Sequence, residues 1–154
     1  MANTYSQIYI QTVFAVKNRD AMIQKEWRDD LHSYMGGILE NKGQKSLAIG
    51  GIHDHVHLFF GYDNLMIPIP NLVQEIKKAT NTWIKANRLS KFQFEWQGGY
   101  GAFSYSRSQI DAVCKYVLNQ EEHHRRRTFK EEYLDILKKF EVEYDERYIF
   151  NFFD

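Results

Sequence analysis

The sequence contains one cysteine, Cys114, and two prolines, Pro68 and Pro70, in 154 residues. A single thiol excludes an internal disulfide framework and a cysteine-rich zinc site, and it suits a reducing compartment. No run approaches the ~20 apolar residues of a membrane span. The opening Met1-Ala2-Asn3-Thr4 has no basic region leading into an apolar stretch, so no signal peptide is expected and the default location is cytoplasmic. Net charge is also lacking, because 20 Lys and Arg balance 20 Asp and Glu. That excludes a global attraction to nucleic acid. There are no repeats and no low-complexity segments, and the length suits one domain over 1–154, with 128–154 as a C-terminal helix and tail.

Charge and aromaticity are plentiful but unevenly placed. From Val73 to Lys91, Lys77, Lys78, Lys85, Arg88 and Lys91 face Glu75 alone. From Glu131 onward acids dominate. A basic face can therefore stand beside an acidic tail. With 10 Tyr and 11 Phe, some aromatic side chains are expected to be exposed and used.

Hydrophobic periodicity orders the chain. Tyr5 to Lys17 alternates as a strand, with Ile8, Ile10, Phe14 and Val16 on one face and Tyr5, Tyr9 and Gln11 on the other. From Met22 the period changes to three and four, through Ile23, Trp27, Leu31, Met35 and Ile38, which predicts an amphipathic helix ending near Gly43. Strands follow at Lys45–Ile52, bent at Gly50-Gly51, and at His55–Tyr62. A second helix is expected after the prolines, capped by Asn71 with Gln74 closing a capping box. A fourth strand at Ala102–Ser106 leads to a helix from Gln109 to about Glu122, capped by Ser108. A final helix is expected over Thr128 to about Phe140. Its aromatic tail should dock on the body or on a second chain. Strand, helix, strand, strand, helix, strand is the order of a ferredoxin-like α+β sandwich, an antiparallel sheet with two helices on one face. On that layout His55 and His57 should lie on the open, accessible face.

The densest chemistry is His53-Asp54-His55-Val56-His57. On a strand, His55 and His57 point the same way, backed by an apolar opposite face, which is the geometry of a two-histidine metal seat. His53 falls at the turn and is expected to point away, and Asp54 can orient a histidine. A metal needs further ligands. On the helix after Ser108, Tyr116 and Gln120 are four residues apart and project together beside the apolar stripe. Two imidazoles and an amide oxygen can hold a divalent ion, the ion can polarise a phosphate, and a phenolate can attack it. Lys77, Lys85 and Arg88, and Arg125, Arg126 and Arg127, are candidate phosphate contacts. The simpler readings are a solvated helix face for the first group and pairing with Glu121 and Glu122 for the second. His123-His124 reads as surface or helix-end capping.

These motifs resemble the IS200/IS605 transposases, the single-tyrosine branch of the HUH nucleases. The resemblance rests on His55-Val56-His57 within Ile52–Phe60, on Lys115-Tyr116-Val117-Leu118-Asn119-Gln120, and on supporting stretches at Val13–Arg19 and Trp96–Ser104. It implies that His55, His57 and Gln120 bind Mg²⁺ or Mn²⁺. It implies that Tyr116 is the nucleophile on single-stranded DNA, forming a 5′-phosphotyrosine and a free 3′-OH. It implies a homodimer, with active sites that can be completed in trans, acting on hairpins at element ends. Two other readings remain at this point. One is a non-catalytic hairpin-binding relative. The other is a two-histidine phosphodiesterase, which would need a second His-x-Ser/Thr motif that the sequence lacks.

Overall fold

A computed structural model describes residues 3–153. The four strands are β1 (Tyr9–Ala15), β2 (Lys45–Gly51), β3 (His55–Gly61) and β4 (Gly101–Tyr105). They form one antiparallel sheet in the order β2-β3-β1-β4. Helix α1 (Lys25–Asn41) follows β1, and α2 (Ile69–Ala86) follows β3. This is the ferredoxin-like arrangement expected from the element order.

One face of the sheet is dry. Val56, Leu58 and Phe60 of β3 alternate onto it and meet Trp27, Leu31, Met35 and Leu39 of α1 and Leu72, Val73, Ile76 and Ile84 of α2. The residues of α1 recur every four positions, so they form one stripe down the helix. Trp96 stands edge-on to Phe14 at 4.8 Å and donates its indole N–H to Thr80 Oγ1 at 2.9 Å. α1 ends at Asn41, and Gly43 takes φ +83°, the left-handed stop that glycine adopts without strain.

The opposite face is not open, which corrects the expectation of an accessible histidine pair. Three further helices cover it: α3 (Ile110–Leu118), the short α4 (Gln120–His123) and α5 (Phe129–Lys139). The reason is that this face carries Ala48 and Phe59 as well as the histidines. Val113 and Val117 of α3 pack on those two residues, and burying them favours a covered face. His55 and His57 are consequently fully buried. The aromatic tail docks on its own chain, with Phe150 and Phe152 against Phe129.

Smaller differences have local causes. The first strand begins at Tyr9 rather than Tyr5, where the partner strand ends at Gly61. α2 begins at Ile69, with Pro70 in its first turn, where a proline costs no helical hydrogen bond. Ser106, not Ser108, starts the turn before α3, and Gln109 Oε1 accepts the Ser106 backbone N–H at 2.9 Å. The bulge of β2 lies between Ser46 and Ala48. Gly50 serves a different purpose: a Cβ there would sit 1.9 Å from the Val117 carbonyl oxygen. Only glycine lets α3 approach the sheet so closely. The helix expected over Gln109–Glu122 is interrupted at Asn119, whose φ −101° and ψ 27° separate α3 from α4.

Candidate active site

β3 brings His55 and His57 to the covered face, two residues apart. Each ring is fixed at its Nδ1. Asp54 Oδ1 lies 2.7 Å from His55 Nδ1, so Asp54 does orient a histidine. Gln11 Oε1, from the neighbouring strand β1, lies 2.6 Å from His57 Nδ1. Gln11 is held in turn by the Tyr105 hydroxyl at 2.6 Å. Phe129 of α5 lies flat on the His55 ring at 3.9 Å. Both Nε2 atoms therefore turn inward, as ligating histidines do when a second group takes the other nitrogen. His53 is about half exposed and stays outside this cluster, as its position at the turn implied.

Gln120 is brought to the same point. It is 1 % exposed, and its Oε1 lies 2.9 Å from His55 Nε2. Tyr116 also arrives, with its ring edge-on to His57 at 5.7 Å. Every expected member of the ligand and nucleophile set thus converges within one chain.

The sequence reading missed the residue at the centre. Glu132 of α5 is 2 % exposed, and its Oε1 lies 3.3 Å from His55 Nε2 and 3.2 Å from His57 Nε2. Its Oε2 accepts from Gln120 Nε2 at 3.0 Å and from the Tyr116 hydroxyl. His124 joins as well, 3.1 Å from Glu132 Oε1. A signal for Glu132 was present. It falls on the buried stripe of α5 with Phe129, Tyr133, Ile136 and Leu137. A carboxylate on an apolar stripe demands a partner. Its neighbour Glu131 is spent at the surface, closing a capping box with Thr128.

The electrostatics follow from burying this many titratable groups together. Burial opposes a charge on His55, but the Asp54 and Glu132 carboxylates outweigh it and lift its pKa to about 9. Burial keeps His57 below the usual imidazole range. Burial alone would raise Glu132, yet the surrounding histidines hold it well below the usual carboxylate range. Burial, and then the charge of Glu132, push the Tyr116 phenol far above its ordinary value. Without a cation beside it, Tyr116 is a poor phenolate. His55, His57 and Glu132 each offer one ligand atom, all within 4.8 Å of one another, so a metal ion fits these residues.

The basic candidates divide. The Lys77 ammonium donates to the carbonyls of Gln97 and Gly99 at 2.8 and 2.7 Å, so it ties down a loop instead of facing solvent. Lys85 of α2 and Arg88, just past its end, line a cavity of about 520 Å³ with Asn81, Phe92 and Phe94, on the α2 side and so across the sheet from the histidines. Arg125 pairs with Glu122 at 3.4 Å. Arg126 and Arg127 border a hollow beside His124 and Asp54. Arg127 also lines a groove of about 450 Å³ along Tyr116, with Tyr105, Lys139 and Phe140. No helix among the described residues is long and apolar enough to cross a membrane.

The fold is that of a class of transposases. A crystal structure from Deinococcus radiodurans R1, assigned as a transposase, superposes with a TM-score of 0.61 at 22% identity, covering 78% of this chain and 95% of that one. A REP-associated tyrosine transposase bound to a REP hairpin superposes with a TM-score of 0.54 at 13% identity, covering 76% of this chain and 68% of that one. No curated protein matches the sequence significantly. The sequence model of the family described as "Transposase IS200 like" matches residues 4–120, most of the chain. The protein belongs to that family. Glu132 and His124 lie beyond the matched residues.

Proposed function

We propose that this transposase is a metal-dependent HUH-type strand transferase acting on single-stranded DNA, with Tyr116 as nucleophile and His55, His57, Gln120 and Glu132 around a divalent ion. The observation that carries the reading is the Glu132 carboxylate. One of its oxygens faces both strand histidines and the other receives the Tyr116 hydroxyl. Nucleophile and ligand set are thereby held by one buried group. When bound, the ion would neutralise charge on the scissile phosphate and favour ionisation of the nearby phenol.

The chain's own residues do the rest. Tyr116 Oη gives up its proton and forms a bond to phosphorus, and the 3′ oxygen leaves and takes a proton. The products are a 5′-phosphotyrosine and a free 3′-OH. Attack of a second 3′-OH on that linkage restores Tyr116 and joins the strands, so the bond energy is conserved and no nucleotide cofactor is required. The groove along Tyr116 suits an unpaired strand, with Arg127 and Lys139 for phosphates and Tyr105 and Phe140 for stacking. Lys85, Arg88, Arg125 and Arg126 remain candidates for contacts with a duplex stem. The hairpin carried by the REP-associated neighbour supports a hairpin at the element end as substrate. Residues 1–154 would act as one unit, since 128–153 supply Glu132 and the docked tail. All donors come from one chain, which supports a site built in cis. A homodimer would then serve to hold two strand ends together.

The test is covalent capture. With Mn²⁺ and single-stranded oligonucleotides carrying candidate element-end hairpins, the full chain forms a protein–DNA adduct, and Tyr116→Phe forms none. An adduct that survives Tyr116→Phe excludes this mechanism.

A further inference from the structure

His124 follows α4 and was expected at the surface, yet its side chain is 5 % exposed. Its surroundings repeat those of His55 and His57. The backbone carbonyl of Arg127 takes His124 Nδ1 at 2.9 Å, as Asp54 takes His55 Nδ1 at 2.7 Å and Gln11 Oε1 takes His57 Nδ1 at 2.6 Å. Each of these partners is an acceptor, so each Nδ1 carries a proton, and in the neutral ring each Nε2 presents a lone pair. The three Nε2 atoms then converge on one oxygen, Glu132 Oε1, at 3.3, 3.2 and 3.1 Å. A second acceptor, Gln120 Oε1, lies 2.9 Å from His55 Nε2 and 3.1 Å from His124 Nε2.

With all three rings neutral, five lone-pair atoms thus meet in a buried space; without an ion, an added proton on His55 is what supplies a donor. Acceptors do not attract one another, and leaving them unsatisfied in a dry interior is costly. Only a cation or added protons can occupy such a point. The spacing fits a cation. Ligand bonds of ~2.1 Å put neighbouring donors ~3.0 Å apart in an octahedron and ~3.4 Å apart in a tetrahedron. The five distances from the imidazole Nε2 atoms to Glu132 Oε1 and Gln120 Oε1 run from 2.9 to 3.3 Å.

We propose that His124 is a third imidazole ligand, so that this chain builds a three-histidine, one-carboxylate centre, with Gln120 beside it, that selects borderline transition ions such as Co²⁺ or Zn²⁺ over Mg²⁺. The inference rests on the metal-site reading above and adds the ligand and the selectivity. Mg²⁺ gives up its water reluctantly and prefers oxygen, usually one or two carboxylates plus several waters. Three fixed nitrogens in a site whose other members are almost fully buried leave little room for that shell. Imidazole donors suit the later ions of the first transition row. α5 makes this possible by bringing Glu132 into the cluster and covering His55 with Phe129.

The test uses the full chain stripped with a chelator, then titrated calorimetrically with Mn²⁺, Co²⁺, Zn²⁺ and Mg²⁺ separately. One equivalent of Co²⁺ or Zn²⁺ should bind at least ~100-fold more tightly than Mg²⁺. His124→Ala should lose at least ~10-fold in affinity for those ions and alter the visible absorption of the Co²⁺ form. X-ray absorption of the Zn²⁺-loaded wild-type chain should count three imidazoles, a readout that stands even if the variant fails to fold. Two imidazoles, or a His124→Ala protein with wild-type affinity and an unchanged Co²⁺ spectrum, overturn the third ligand. Equal affinity for Mg²⁺ overturns the selectivity. Failure of the strand-transfer reading is distinguishable. A three-imidazole centre with no DNA adduct sinks that reading and leaves this one standing. A Tyr116-dependent adduct at a two-imidazole centre does the reverse.

Discussion

The two faces of the sheet are built from the same four strands and solve opposite problems. Toward α1 and α2 the strands present Val56, Leu58 and Phe60 to other apolar side chains, and shape is all that matters. Toward α3, α4 and α5 they present His55, His57 and Gln11, and every polar atom must find a partner. The first face is held by apolar burial and tolerates volume-conserving swaps. The second is a network in which each group fixes the next, so removing one leaves others buried and unpaired. Stability resides mainly on the dry side. The proposed chemistry falls on the side whose stability depends on what fills the cluster.

Three experiments sharpen or break this contrast. The largest effect on activity is expected from Gly50→Val, which forces a side chain into the Val117 carbonyl and lifts α3 off β2. Overpacking of this kind costs about 1–3 kcal/mol. Because Tyr116 rides on α3, a displacement of about an ångström should lower adduct yield by ~100-fold, beyond any loss of folded protein. Folded, fully active Gly50→Val would mean that the close approach is not what positions Tyr116.

Next in size is a pair of truncations compared with and without Mn²⁺. Leu58→Ala on the dry face should cost about 2–5 kcal/mol under both conditions. The wild-type chain and Leu58→Ala should both gain about 2.7 kcal/mol when free ion reaches 100 times Kd, and chelator should remove the gain. His57→Ala should lose most of that gain. Denaturant melts read all three, and an ion-dependent gain retained by His57→Ala would separate metal binding from the histidine face.

The smallest effect concerns a histidine on the other side. His32 of α1 is half-buried, and the one carboxylate acting on it, Asp29, is outweighed. Burial first, and then the charge of Arg28, lower its pKa to about 4, opposite in direction to His55. The unfolded chain takes up the proton near the ordinary imidazole value of about 6.5 while the folded chain resists it. Stability should therefore fall as pH drops from about 6.5 toward 4, and His32→Asn should flatten that part of the profile. A profile unchanged by His32→Asn would show that this imidazole is solvated in both states.

Much of the site was legible because period and spacing are local properties. Alternation puts His55 and His57 on one face of a strand whatever the strand packs against. The spacing of Tyr116 and Gln120 holds them near each other despite the break at Asn119. The element order set the sheet and two of its helices. Cover for the second face was harder to see, because nothing local says where a helix following β4 will lie. It became explicable only through contacts: Val113 and Val117 over Ala48 and Phe59, and Gly50 beneath Val117. Lys77 reads as one of a basic stripe, and only the Gln97–Gly99 loop folded beside it shows its charge in use.

By itself, then, the sequence determined the strand pair of histidines, the tyrosine and amide that join them, and the family, since these depend on residue type and short-range spacing. Tertiary structure alone decided that Glu132 and His124, from segments more than 60 residues beyond β3, meet those histidines at one buried point. The physical reason is that a carboxylate on a helix reveals its partner only when the helix docks. Burial then turns an ordinary acid and a histidine at the end of a short helix into members of the site.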